Sequence, residues 1–234
     1  MNARSMLCAM CALAGFASVV NAQPVAQMTV NGQVYSLPVA YAEGTDRIML
    51  QAATITGSGF VLEVRDGWLD PDPSISWGLA VQNVTGAPLN FVFVFSTPII
   101  LGPGPTTVFG SIVGGLTDNT GNGVSIAPFG GPSIMTNEVD APVTNMGVDV
   151  GPAMVVPAGG VGALYNYGAF SAGPQPGPPG PWATLTSRVQ FTLSGNGDIA
   201  VLTGYASIDP IPTPGAAALL ALGGTLAARR RRTA

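Results

Sequence analysis

The chain contains no lysine and no histidine, and its two cysteines, Cys8 and Cys11, both lie close to the N-terminus. The rest of the chain therefore cannot assemble a Ser-His-Asp or Cys-His nucleophile system. Imidazole and thiolate metal sites fall with them, which removes the usual zinc, copper and haem centres. Without lysine, neither a Schiff base nor a P-loop phosphate cradle can form. What remains is carboxylate chemistry, in principle a glycosidase pair. Glu43, Glu63 and Glu138 are the only glutamates, and none stands in a recognisable catalytic setting. The chain reads as a non-enzyme, with neither disulfide nor thiol in its main domain.

Charge is scarce as well, at 9% of residues. Between Gln23 and Ile208, Arg47, Arg65 and Arg188 face eleven carboxylates, a balance of −8. Four of the eight arginines stand together at the C-terminus, so the whole-chain value of −4 understates how acidic the middle is. A domain of this sign repels nucleic acid and anionic lipid. Nucleic-acid binding is excluded.

The two ends carry the clearest signals. Arg4 supplies a positive n-region, Met6 to Val20 an apolar h-region, and Val20-Asn21-Ala22 a small-residue cleavage site. Residues 1–22 read as a signal peptide, residues 23–208 as the domain and 209–234 as a tail. The competing reading of the N-terminus is a buried helix, which rarely has this tripartite order.

Convincing helical periodicity is absent between the ends. Apolar and β-branched runs of strand length alternate with glycine and proline, which together make up 32 and 21 residues. Asn31-Gly32 predicts a turn within Met28 to Leu37, and Ile48 to Val64 predicts further strands. Ile75 to Asn83 and Leu89 to Ser96 are strand candidates; the second is nearly continuous in Phe and Val, as in a buried strand. Gly102-Pro103-Gly104-Pro105 reads as a turn ahead of a strand over Thr106 to Val113. Ser187 to Ser194 and Asp198 to Ile208, flanking Gly195-Asn196-Gly197, predict a hairpin. Ser171 to Pro181 is dense enough in proline to predict an extended surface loop. The fold class expected is all-β, an antiparallel sandwich or jelly roll of eight to twelve short strands.

Two acidic stretches are calcium-loop candidates: Asp66, Asp70 and Asp72 in one, Asp118, Asn119 and Asn122 in the other. Calcium takes six to eight oxygens from flexible loops of this composition. Neither stretch has the closing glutamate of an EF-hand, and Asp, Asn and Gly also form ordinary turns. Among the aromatics, Trp77 falls inside a strand and reads as core. Trp68 and Trp182 flank turns and are the candidate glycan contacts; Tyr165 and Tyr167 could join a stacking platform.

The tail runs from Pro212-Thr213-Pro214 through apolar Gly215 to Ala228 into Arg229, Arg230, Arg231 and Arg232. As a soluble helix it would have no polar face. As a membrane span its fourteen residues reach about 21 Å against a hydrocarbon core of about 30 Å. The arginines would hold the end in the cytoplasm. Proline motif, short apolar helix and arginine cluster, in that order behind a signal peptide, resemble the PEP-CTERM sorting signal of exported bacterial proteins, here as a Pro-Thr-Pro variant. The resemblance covers about a tenth of the chain. It implies handling by an exosortase-type membrane enzyme, a transient anchor in the inner membrane, and a destination at the cell surface or in an exopolysaccharide or biofilm matrix. The expected role is structural or adhesive. The alternative is a carbohydrate-binding module, with calcium as an assisting ion and no other cofactor.

Overall fold

The computed structural model describes residues 23–140 and 143–212. The expected signal peptide, residues 1–22, and the tail from Thr213 onward lie outside the described residues. Within them the secondary structure is strand throughout, without helix. In chain order the strands are β1 Val25–Val30, β2 Gln33–Ser36, β3 Val39–Tyr41, β4 Ile48–Leu50, β5 Ala53–Gly57, β6 Phe60–Val64, β7 Gly67–Asp70 and β8 Ser74–Asn83. Then follow β9 Leu89–Asp118, β10 Val124–Pro128, β11 Met135–Asp140, β12 Thr144–Asn145, β13 Met154–Val156, β14 Ala163–Leu193 and β15 Asp198–Pro210. Every pairing is antiparallel.

Two very long strands, β9 and β14, organise the molecule by running side by side through two sheet halves. In the first half the front of β9 lies between β1 and the back of β14, which continues to β11 and β12. In the second half the back of β9 lies between the front of β14 and β15, followed by β8. β8 then pairs with β6 at one end and with β7 at the other, and β7 leads to β4 and β3. The two halves face each other across one apolar core, a sandwich-like arrangement.

Side-chain alternation builds that core. The Phe/Val run of β9 divides cleanly: Phe91, Phe93 and Phe95 are fully buried, whereas Val92 and Val94 keep some exposure on the other face. From the second half, Trp77 stacks on Phe95 at 5.8 Å between ring centroids, and Phe60 meets Phe91 edge-on at 6.2 Å. Phe191 closes against Phe91 and Phe93. The Trp77 indole rests on the backbone of Gly204, where a Cβ would run into the ring. Truncating a buried ring of this size costs about 3–5 kcal/mol.

The Asn31-Gly32 hairpin forms as expected, with φ of 50° and 77° at the two residues and β1 paired to β2. Three other expectations are corrected. Ser187 to Ser194 and Asp198 to Ile208 do not pair: the first ends β14 in one half, and the second is β15 in the other. The turn chemistry itself is present, with Asn196 at φ 65° and Gly197 at φ 86°. However, the turn is clamped across the core edge. Asn196 and Gly197 donate backbone N–H groups to Thr85 and Asn83 carbonyls, and the Asn83 amide donates to Leu193, Ser194 and Ala87 carbonyls. The apolar faces of both strands, Val189 and Phe191 on one and Ala200 and Leu202 on the other, are thereby buried against the core.

Second, Ser171 to Pro181 is strand, not loop: it forms the middle of β14, paired with β9. Third, Gly102-Pro103-Gly104-Pro105 lies inside β9 opposite it, not in a turn. Among the described residues no strand pairs with the far side of Gln175 to Trp182. The missing proline N–H groups there leave no ladder bond unmade, and register shifts absorb the irregular spacing. This proline-rich corner is where both long strands pass from one half to the other.

Candidate functional site

The turn between β3 and β4 is tight: Ala42 donates its N–H to the Arg47 carbonyl, and Thr45 donates back to the Ala42 carbonyl. It presents Arg47 at the edge of the second half. Next to it, β7 carries Trp68 and Asp70 on one face, two residues apart as strand alternation requires. Arg47 Nε donates to Asp70 Oδ2 at 2.6 Å, and Arg47 Nη2 approaches the same oxygen at 2.5 Å. The guanidinium carbon lies 5.5 Å from the Trp68 ring centroid, within cation–π range. Trp68 Nε1 donates to Ser74 Oγ at 3.3 Å, and Asp70 Oδ1 accepts the Asp72 backbone N–H at 3.0 Å. An open depression of about 470 Å³ lies here, lined by Arg47, Asp46, Asp70, Asp72, Thr45 and Met49 among others. Arg47 thus links the two features: it lines the depression with Asp70, and its guanidinium lies over the Trp68 indole beside it.

The acidic residues of this stretch do not form a calcium cage. Asp70 is committed to Arg47, and Asp66 and Asp72 are exposed. The second acidic loop is closed in another way. Asp118 is buried, and its carboxylate accepts backbone N–H groups from Thr120, Gly121 and Gly123. Burial pushes its pKa up, but the N–H groups of Gly123, Gly121, Thr120 and Asn122 outweigh it and hold the carboxyl below the usual range. Asn122 serves the same turn by accepting from the Thr120 hydroxyl, and Asn119 donates its N–H to Asp198. Asp198, equally buried, is pushed up by its burial and by the nearby Asp118 charge, although Ser194 and Asn119 donate to it. Among the described residues no group of three or more acidic side chains converges as a metal site would require.

The aromatic candidates divide. Trp77 is core, as its strand position suggests. Tyr167 is buried, donates its hydroxyl to the Pro152 carbonyl at 2.7 Å and packs on Phe170; burial drives its pKa upward. Tyr165 is partly buried against the core. Trp182 also packs on the core, and its Nε1 donates to the Pro178 carbonyl at 3.1 Å, which pins the proline-rich corner. Trp68 alone of these candidates adjoins the depression. Two partly exposed rings escaped the sequence reading. Tyr205 on β15 and Phe109 on β9 meet at 6.1 Å between centroids on the face that also carries Trp68. Their strand alternation was the available signal: Asp198, Ala200, Leu202, Gly204 and Ala206 point inward, which turns Tyr205 outward. Pro212 of the expected sorting motif is exposed, and Thr213, Pro214 and Arg229 to Arg232 lie outside the described residues.

No family model matches the chain, and no curated protein matches it. Similarity to solved structures is weak. TmCBM61, a carbohydrate-binding module solved in complex with β-1,4-galactotriose, is 11% identical, with 66% of this chain and 90% of that chain covered at a TM-score of 0.28. A chain of the infectious bursal disease virus Gx strain structure is 12% identical over 80% of this chain, which spans 46% of that one, at a TM-score of 0.19. Similarity at this level assigns neither ligand nor activity.

Proposed function

We propose that this chain is an exported, non-catalytic protein of the cell surface or extracellular matrix, which adheres by gripping a polysaccharide at the Arg47–Trp68–Asp70 depression. The observation that carries the proposal is a flat indole lying under a guanidinium that is paired to a carboxylate, beside an open depression. The C–H face of a sugar ring suits an aromatic plane, while its hydroxyls donate to carboxylate oxygens and accept from guanidinium N–H groups. In the free protein Arg47 covers the indole. Moving it aside gives up a cation–π contact of about 0.5–1 kcal/mol and, in addition, its hydrogen bonds to the buried Asp70 carboxylate, which the ligand's hydroxyls must replace. The acidic domain disfavours anionic sugars, so the ligand class is a neutral polysaccharide.

Delivery follows from the two ends. A signal peptide over residues 1–22 exports the domain. The Pro212-Thr213-Pro214 motif, apolar segment and Arg229–Arg232 cluster address it to an exosortase-type enzyme, with transient anchoring in the inner membrane.

Each half has its own test. On a glycan array the protein should bind neutral oligosaccharides, and Trp68→Ala should weaken that binding about tenfold, equivalent to about 1.4 kcal/mol. Flat curves across the array would sink the binding claim. Replacing Arg229 to Arg232 with alanine should redistribute the protein between membrane, surface and medium; an unchanged distribution would remove the sorting claim and leave the binding claim standing.

A further inference from the structure

The strand register extends the Trp68 site across the sheet. Met49 pairs with Trp68, Trp68 with Ser76, Ser76 with Tyr205, Tyr205 with Ser111 and Ser111 with Ser171. Residues directly opposite one another in a sheet share a face. These side chains therefore form one row on the outer face of the second half, perpendicular to strands β4, β7, β8, β15, β9 and β14. One strand, β8, separates Trp68 from Tyr205, so the two rings stand about 10 Å apart, twice the usual strand spacing. The side chain between them is the small Ser76.

Phe109 sits against Tyr205 with ring planes at 50°, widening the second aromatic surface. Trp68, Tyr205 and Phe109 all retain partial exposure, while Trp77, Phe60, Phe91, Phe93, Phe95 and Phe191 are fully buried. Along β15 in the other direction the next outward residues are Thr203 and Val201, so aromatic rings recur across the strands and not along them. The row itself carries hydroxyls and no charge; the Arg47–Asp70 pair stands only at its Trp68 end.

We propose that Tyr205 and Phe109 form a second sugar subsite, so that the ligand is an extended neutral polysaccharide lying across β7, β8, β15 and β9. One sugar ring rests at Trp68, another on Tyr205, and Ser76 and Ser111 offer hydroxyls to the chain between and beyond them. This rests on the reading of the Trp68 depression as a sugar site. An uncharged row of hydroxyls and aromatic rings in a domain of −8 complements a neutral polyhydroxyl chain and repels an acidic one. Occupying two linked subsites gives affinity that grows with ligand length without any new chemistry at either.

The test is a length series: cello-oligosaccharides and malto-oligosaccharides, from disaccharide to hexasaccharide, titrated calorimetrically into the full chain. In the wild type the hexasaccharide should bind about tenfold or more tighter than the disaccharide. Tyr205→Ala should abolish that gain, Phe109→Ala should reduce it, and Tyr205→Phe, which keeps the ring, should retain it. Trp68→Ala should weaken binding at every length. Affinity independent of length, or a gain that survives Tyr205→Ala, would overturn the second subsite while leaving the Trp68 site in place. Absence of binding by either series would overturn both. Concentration-dependent self-association that Tyr205→Ala removes, with no sugar effect, would assign the face to a second copy of the chain and overturn the proposal.

Discussion

Asp70 and Asp118 both stand at strand ends ahead of a turn, and both are nearly or wholly screened from solvent. Their oxygens are spent on different partners. Asp70 holds a side chain, Arg47, which is itself about half exposed and can be displaced by a ligand that offers hydroxyls in its place. Asp118 holds backbone N–H groups of its own loop, which cannot leave without unfolding the turn. Asp70 Oδ1 also accepts one turn amide, from Asp72, but its Oδ2 is held by a half-exposed side chain and can be exchanged, whereas both Asp118 oxygens are held by amides. The acidic neighbour of Asp118 points to the same division: Asp198 lies in the scaffold region, and its charge is a burden there, not a tool.

The largest effect should come from Asp118→Ala, which strips an acceptor from several backbone N–H groups at once. Its thermal midpoint should fall far more than that of Asp72→Ala, an exposed change expected to stay within about 0.5 kcal/mol. Calorimetric melting of the two variants checks this, and equal effects would erase the contrast between the loops.

Next is Asp70→Ala, expected to cost about 1 kcal/mol because Arg47 can turn to water once its partner is gone. The indole should lose its cation, seen as a change in Trp68 fluorescence that is absent when Trp68→Phe is combined with it. Emission that does not respond would mean Arg47 stays on the ring without Asp70.

A smaller effect concerns pH. The folded pKa of Asp198 is raised, so its charge opposes folding above that pKa. Its contribution improves as pH falls from neutral through the raised value toward the unfolded value of about 4. The folded pKa of Asp118 is lowered, so its stabilisation is present above the unfolded value and is lost as pH falls below it. Asp198→Asn should remove the gain above pH 4 and leave the acid loss below it; a melting series against pH that shows no difference from wild type would contradict this assignment. The smallest expected response is to calcium. Because the Asp118 oxygens already hold amides, millimolar calcium should leave the thermal midpoint in place. A rise that Asp118→Asn removes would show that the loop exchanges its amides for a cation.

Much of the architecture was legible in the chain itself. The β-branched and apolar runs Leu89–Ser96 and Asp198–Ile208 read as strands because strand character is a local property of the chain. Which face turns inward did not, since Val92, Val94, Ile199 and Val201 are apolar on the outer face. Asn31-Gly32 closes its hairpin because both residues tolerate positive φ. The absence of histidine, lysine and a late cysteine bounds the chemistry whatever the fold. Trp68 was legible as a surface candidate because it borders a turn.

Other features depend on which strands become neighbours, and strand pairing is decided by burial and long-range packing that local sequence does not encode. Gly195-Asn196-Gly197 has hairpin chemistry, yet Asn83 and Thr85, more than a hundred residues earlier, turn it into a crossing between halves. The prolines of Ser171 to Pro181 argue against a strand until its far side is found unpaired. Trp68 and Tyr205 are 137 residues apart in sequence and become neighbours only because Ser76 pairs with both. Asp70 and Asp118 are indistinguishable as residues in a string. By itself, then, the sequence determined the strand character and the chemistry for which the domain lacks the residues, since both follow from residue identity and local propensity. Only the tertiary structure decided which carboxylate is free to act and which rings share a surface, because those depend on the donors and strands that folding brings alongside.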